Sequence, residues 1–354
     1  MFKSLQVQNL PDECKFAKIL NGRIYTSTVA RYCCHDFDGN LIWEFSAEDP
    51  HRKPYMSAFT ITSPYFVALD GQALQVRDVS SGLLLHKLPF PDEEIYPESA
   101  LDCNGRLYLQ GWAEDRVWLS CLDLQSMQWR WRIPTMGHGR LMSILEGILL
   151  FSGGRKKMQT LYAASYETGE VLWQKDTSTW TTDEPPFGMV GESTQHVLHV
   201  GETIILPVRE KHVACLHLQS GAVRWVTAIN GRFGAKLPML LNPAGNVVIP
   251  AYVHTHLNPK TGTIVHEFPL RNGLIKHQLM TAWPELAEHP YVFCHSHSSN
   301  SPKIFRINTV TDSFEDIVHL PNKLASHLDK NGRHLWAITQ DGLLRIWEVQ
   351  ESQT

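Results

Sequence analysis

The chain has 354 residues, a formal net charge of −4, and 43% apolar against 19% charged residues, which is ample core material and excludes a disordered chain. The longest basic cluster is Arg155-Lys156-Lys157, too short for a nucleic-acid stripe. The N-terminal residues hold no apolar run of signal-peptide length and no segment approaches the ~18 apolar residues that span a bilayer, so the expectation is a soluble, cytoplasmic protein that binds neither nucleic acid nor membrane.

One phrase recurs along the chain: a β-like run, a polar turn, then a second β-like run with an aromatic residue four positions past the turn. It reads Tyr32-Cys-Cys-His-Asp-Phe-Asp-Gly39-Asn-Leu-Ile-Trp43, then Leu161-Tyr-Ala-Ala-Ser-Tyr-Glu-Thr-Gly169-Glu-Val-Leu-Trp173, then Ala214-Cys-Leu-His-Leu-Gln-Ser-Gly221-Ala-Val-Arg-Trp225. Weaker copies place Gly82 with His86, Met127 with Trp131, Gly262 with His266 and Asp312 with Asp316. The turns at 39, 82, 127, 169, 221, 262 and 312 are spaced by 43, 45, 42, 52, 41 and 50 residues, and Leu344–Ser352 supplies an eighth copy. A period of about 40–50 residues is that of four-stranded propeller blades.

The fourth unit parses into four short strands, Arg140–Glu146, Gly147–Ser152, Thr160–Glu167 and Val171–Lys175, and no segment shows a sustained helical period. The expected fold is all-β: a single β-propeller domain over residues 1–354, with eight four-stranded blades and seven as the alternative. The eighth unit stops at its turn, so residues 1–11, with Leu5–Pro11 resembling the outer strands of other units, are expected to close the last blade and remove a free sheet edge.

Each repeated residue type has a physical reason. The turn glycine supplies positive φ without steric cost. Four residues before the turn stand Asp78, Asp123, Ser165, Asn258 and Asn308, whose short polar side chains can bond turn N–H groups; His35 and His217 occupy the same slot. Six residues before it stand Cys33, Cys121, Ala163 and Cys215, small side chains suited to a buried position between sheets. Trp43, Trp131, Trp173 and Trp225 lie on outer strands, each able to pack against the next blade.

Ala163, Thr168, Gly169 and Trp173 resemble the repeat of the pyrroloquinoline-quinone (quinoprotein-like) propellers, with Ser165 where that family has Asp; Thr261 and Gly262 match without the Trp. Other units look equally like WD-repeat blades, with Arg345-Ile-Trp347-Glu-Val at the end of the chain. The resemblance implies either an alcohol or sugar dehydrogenase using the quinone with calcium, or a cofactor-free scaffold such as an outer-membrane assembly lipoprotein. The adjacent Cys33 and Cys34 favour the enzyme, since quinone-dependent alcohol dehydrogenases hold a disulfide of adjacent cysteines against the cofactor. Yet on a strand these neighbours point to opposite faces. No acidic, Asn and Arg set matching the family's ligands is found, and no cofactor is expected. His254 with His256, and His295 with His297, are spaced to share a strand face and could offer imidazoles to zinc or copper, but no third ligand stands at fixed spacing. Hydrolase and nucleotide motifs are absent.

The expanded loops fall on one side of such a propeller: residues 178–193 form an inserted loop between blades four and five, and further expansions hold Arg155, Lys156 and Lys157 in blade four and Trp112 in blade three. Loops on a rigid scaffold concentrate binding residues. Trp112, Arg155, Lys156, Lys157, Trp180, Asp183, Glu184 and Phe187 are therefore the candidate partner-binding set, with Trp180 and Phe187 as aromatic anchors or, alternatively, plugs of the propeller mouth. The sequence points to a non-catalytic chain, monomeric by itself, that binds another protein as a scaffold or inhibitor. A quinone- or metal-dependent oxidoreductase is the alternative.

Overall fold

A computed structural model describes residues 2–9, 14, 16–28, 30–48, 59–70, 73–90, 96–113, 116–135, 141–153, 160–180, 197–208, 211–230, 239–250, 253–269, 280–282, 291–295, 302–308, 313–322, 329–331, 334–341 and 343–349. Among these the strands form eight four-stranded antiparallel sheets, as the repeat requires. The one helical element described is a single 3-10 turn, Thr177–Trp180.

The chain divides into two compact units, residues 1–132 with 321–354, and residues 133–320. In the first, blade 1 is Phe16–Leu20, Arg23–Ser27, Arg31–Asp36 and Leu41–Ser46; blade 2 is Phe59–Thr62, Tyr65–Asp70, Ala73–Asp78 and Leu84–Pro89. Blade 3 is Tyr96–Cys103, Arg106–Ala113, Arg116–Asp123 and Gln128–Thr135, whose last residues pass into the second unit. Blade 8 is Asp329–Asn331, His334–Ile338 and Leu343–Val349, completed by the N-terminal strand Phe2–Asn9. That strand pairs antiparallel with Leu343–Val349, from Phe2 opposite Val349 to Asn9 opposite Leu343. The eighth sheet is thereby complete, and the seven-blade alternative falls.

In the second unit, blade 4 is Leu141–Leu145, Ile148–Gly153, Thr160–Ser165 and Val171–Asp176, within two residues of the expected bounds. Blade 5 is Leu198–Val200, Thr203–Val208, His212–His217 and Val223–Ala228; blade 6 is Leu240–Leu241, Val247–Pro250, Val253–Leu257 and Ile264–Pro269; blade 7 is Met280–Ala282, Tyr291–His295, Lys303–Asn308 and Ser313–His319.

Burial follows strand position. The second strands Ile148–Gly153 and Thr203–Val208 are buried along their whole length and so read as apolar runs instead of alternating. In the outer strands Leu41–Ser46 and Val171–Asp176 the third residue, the Trp, is buried while its flanks face solvent. Ile148, Leu150, Leu161 and Ala163 of blade 4 pack with Ile204, Leu206, Ala214 and Leu216 of blade 5 in one apolar cluster. Tyr25, Tyr32, Cys34 and Trp43 of blade 1 pack with Phe59, Phe66 and Ala68 of blade 2 in another.

The repeated Trp joins consecutive blades. Trp43 Nε1 donates to the Val79 carbonyl at 3.2 Å, Trp173 Nε1 to Leu218 at 2.9 Å, and Trp225 Nε1 to Pro259 at 3.0 Å. Each acceptor lies in the turn of the next blade, and the indole lies against that turn's glycine. A Cβ on Gly221 would stand 2.6 Å from Trp173, and one on Gly262 2.5 Å from Trp225. The turn glycine thus has a second role that the hairpin alone does not explain. Trp131 instead stands 5.9 Å, centre to centre, from Tyr108 of its own sheet.

The polar slot before the turn works as expected in most blades. Asp78 Oδ1 accepts from the N–H groups of Ser80 and Ser81 at 3.0 and 2.8 Å, and Asn258 Oδ1 accepts from Lys260 and Thr261 at 2.9 and 3.3 Å. His217 does the same through Nδ1, taking the Ser220 N–H at 3.3 Å. His35 does not. In blade 1 the Gly39 N–H bonds to Asp36 O, three residues back, where Gly82, Gly221 and Gly262 each bond four residues back. The turn is one residue tighter, so Asp36 caps it, accepting from the Asn40 N–H at 2.8 Å, and His35 remains a buried strand residue.

Hydrogen bonds from Ser80 and Ser81 hold the Asp78 carboxyl down at about 2. An unfolded Asp titrates near about 3.9. This group therefore contributes stability that is present above the unfolded value and lost as pH falls through the folded one. Between about pH 4 and about pH 2 the melting temperature of the parent chain should fall more steeply than that of Asp78→Asn, which cannot titrate. Parallel acid limbs in a pH series of thermal melts would show that the Asp78 turn is not formed in solution.

Candidate functional site

Of the residues expected to bind a partner, Arg155, Lys156, Lys157, Asp183, Glu184 and Phe187 lie outside the described residues, as does most of the inserted loop 178–193. Trp112 is on the strand Arg106–Ala113, paired opposite Val117, and not in a loop: blade 3 extends its second and third strands where an expansion was expected. Trp180 ends the 3-10 turn and packs, partly buried, on the apolar cluster of blades 4 and 5.

A surface not anticipated from sequence stands on the outer strands. Immediately after the turn, each outer strand of blades 1, 2, 4, 5 and 6 presents exposed apolar side chains: Leu41 and Ile42, Leu83 to Leu85, Val171 and Leu172, Val223, and Ile264 and Val265. Leu83 is the most open of these at 67%. The sequence carries the signal, since the two residues before the Trp slot are apolar in blades 1, 2, 4 and 6 and Val223-Arg224 in blade 5, but their exposure follows from geometry. A register shift falls at this point in each of these five blades, between Cys34 and His35 in blade 1 and between Val76 and Arg77 in blade 2, for example. Among the described residues the outer strand is also the last in its sheet, so it offers a backbone edge with no strand partner beside these apolar side chains.

Cys33 and Cys34 are both buried free thiols on the strand Arg31–Asp36, paired opposite Thr26 and Tyr25 and so directed to opposite faces. Burial raises both, Cys34 to about 11, which disfavours the thiolate. Cys121 and Cys215 are buried too, and Cys215 stands opposite Trp225 as Cys34 stands opposite Trp43, so in blade 1 the small-residue slot expected for Cys33 is held by Cys34, one residue on, because the turn is one residue tighter.

His254 and His256 share a face of blade 6, with ring centres 5.4 Å apart. The ladder adds a third imidazole that sequence reasoning missed: His266, opposite His256, with ring centres 5.7 Å apart. His297 lies outside the described residues, and of His295 the backbone alone is described, in Tyr291–His295.

The family model described as outer membrane protein assembly factor BamB matches residues 157–353, more than half of the chain. The chain belongs to that family. Among solved structures, BamB from Moraxella catarrhalis is similar to this BamB-family chain at 14% identity and a TM-score of 0.66, covering 99% of this chain and 100% of that one. The quinohemoprotein alcohol dehydrogenase from Comamonas testosteroni is similar at 9% identity and a TM-score of 0.67, covering 100% of this chain and 78% of that one. Sqt1 from Saccharomyces cerevisiae is similar at 11% identity and a TM-score of 0.64, covering 98% and 99%. No curated protein matches significantly. With eight four-stranded sheets, these likenesses make the fold of this BamB-family chain an eight-bladed β-propeller. Among the described residues no helix is long and apolar enough to cross a membrane.

Proposed function

We propose that the chain is a non-catalytic propeller that binds another protein, and that it does so in the cytoplasm as a monomer. The observation that carries this reading is the exposed Leu83-Leu84-Leu85 run on the free outer edge of blade 2. Contiguous exposed apolar surface marks interaction sites, and an unpaired edge lets a partner add backbone hydrogen bonds. The family's description as an assembly factor fits a scaffold. The buried free thiols Cys33, Cys34, Cys121 and Cys215 suit a reducing compartment. The loop residues Arg155 to Lys157, Trp180, Asp183, Glu184 and Phe187, with Trp112, extend the proposed contact set. The oxidoreductase alternative keeps the likeness to quinoprotein dehydrogenases but is not favoured by Cys33 and Cys34, which face opposite sides of their strand.

Capture from fractionated lysate of the native host tests this, with the parent chain and Leu84→Lys compared. Leu84 is exposed, so the substitution should change stability by no more than about 0.5 kcal/mol. A partner protein from the cytoplasmic fraction that is retained by the parent and lost by Leu84→Lys is the expected result. Equal capture by both moves the contact off blade 2. Recovery of the chain in the envelope fraction overturns the location, and quinone-dependent dye reduction by the pure chain overturns the non-catalytic reading.

A further inference from the structure

Blade 6 departs from its neighbours at three linked positions. Eight residues before the turn, blades 4 and 5 have Leu161 and Val213; six before it, Ala163 and Cys215; four after it, Trp173 and Trp225. Blade 6 has His254, His256 and His266 at those same positions. An apolar trio fills this place in the two preceding blades, so packing alone does not call for three imidazoles.

The register brings the three together. His254 and His256 alternate along one strand and so share a face. His256 pairs directly with His266 on the outer strand, ahead of the register shift between His256 and Leu257. The rings meet edge to face, at 83° and 79°. Two imidazoles on one tetrahedral zinc, with Zn–N about 2.0–2.1 Å, have ring centres roughly 5 Å apart. The observed 5.4 and 5.7 Å lie close to that separation. His254 and His256 are buried, whereas His266 is exposed, which gives an ion a route in and leaves solvent for a fourth position.

We propose that His254, His256 and His266 bind one divalent transition-metal ion of the zinc and copper class, for which neutral imidazole is the suited ligand. In their present orientation no three His, Cys, Asp or Glu side chains among the described residues, these included, are set to hold a metal ion. Binding turns the three imidazoles about their side-chain bonds while the strand register stays fixed.

The test uses the full chain, stripped with chelator and titrated separately with zinc chloride and copper(II) chloride by calorimetry, with thermal melts at each metal concentration. The expected result is one ion per chain and a melting temperature that rises with metal. His266→Ala, at an exposed position, should fold as the parent does. It should bind the ion more than tenfold more weakly, since even second-layer partners of metal ligands are worth about 10–100-fold. The double variant His256→Ala with His266→Trp restores the blade 4 residues; it should fold and lose the metal-dependent rise in melting temperature. No heat and no shift with either ion in the parent overturns the site. Equal binding by the parent and His266→Ala overturns it as well, because the ion then sits elsewhere.

Discussion

Trp173→Ala should lower the stability of the folded chain by about 3–5 kcal/mol, the range for emptying a buried aromatic site. Trp173 is 8% exposed and packs with Ile148, Leu150, Leu161 and Ala163 of its own blade and Ile204, Leu206 and Leu216 of the next. Truncation removes the indole that both apolar surfaces share and deprives the Leu218 carbonyl of its 2.9 Å donor. The void cannot close without moving blade 5 toward blade 4, and the strand ladders of both resist that shift. Trp225, less buried in the same slot, should cost less when truncated. Denaturant titration of the two variants gives the comparison. A loss below about 1 kcal/mol at Trp173 would mean that the indole does not bridge the blades in solution.

The repeat was legible because its physics is local. A left-handed turn residue every forty or fifty positions can be read directly, and residues 39, 82, 127, 169, 221 and 262 all have positive φ, Met127 included. The closing strand was legible for a related reason: a blade that stops one strand short needs a partner, and only the N-terminus had outer-strand character to spare. What escaped the sequence depends on register and on contacts between blades. His35 and Asp36 are both plausible caps, and only the one-residue tightening of the turn selects Asp36. His266 could not be joined to His254 and His256 by counting, because a turn and a bulge intervene before the ladder sets them side by side. The exposed leucines of blade 2 read as ordinary strand residues until the sheet order leaves them on an unpaired edge.

Gly221→Ala should destabilise by about 2–5 kcal/mol, and about half of that cost or more should depend on Trp173. Two effects combine at this position. Gly221 has φ 63°, where an L side chain costs roughly 1–2 kcal/mol. Its added Cβ would also stand 2.6 Å from Cδ2 and 2.7 Å from Cε3 of Trp173, a rigid ring with no flexible end to swing aside. Overpacking of this kind costs about 1–3 kcal/mol. The two contributions separate in a double-mutant cycle, because the backbone cost persists without the indole while the clash does not. In a Trp173→Ala background, Gly221→Ala should therefore cost only about 1–2 kcal/mol, leaving a coupling of at least about 1 kcal/mol between residues 48 positions apart in the sequence. Gly245 serves as the control: it also has positive φ, at 77°, but a Cβ there meets nothing within 4 Å, so Gly245→Ala should show the backbone cost and no coupling to Trp173. Full additivity at Gly221 would mean that the turn of blade 5 does not rest on the indole of blade 4, and the account of why a glycine recurs at that turn would reduce to hairpin geometry alone.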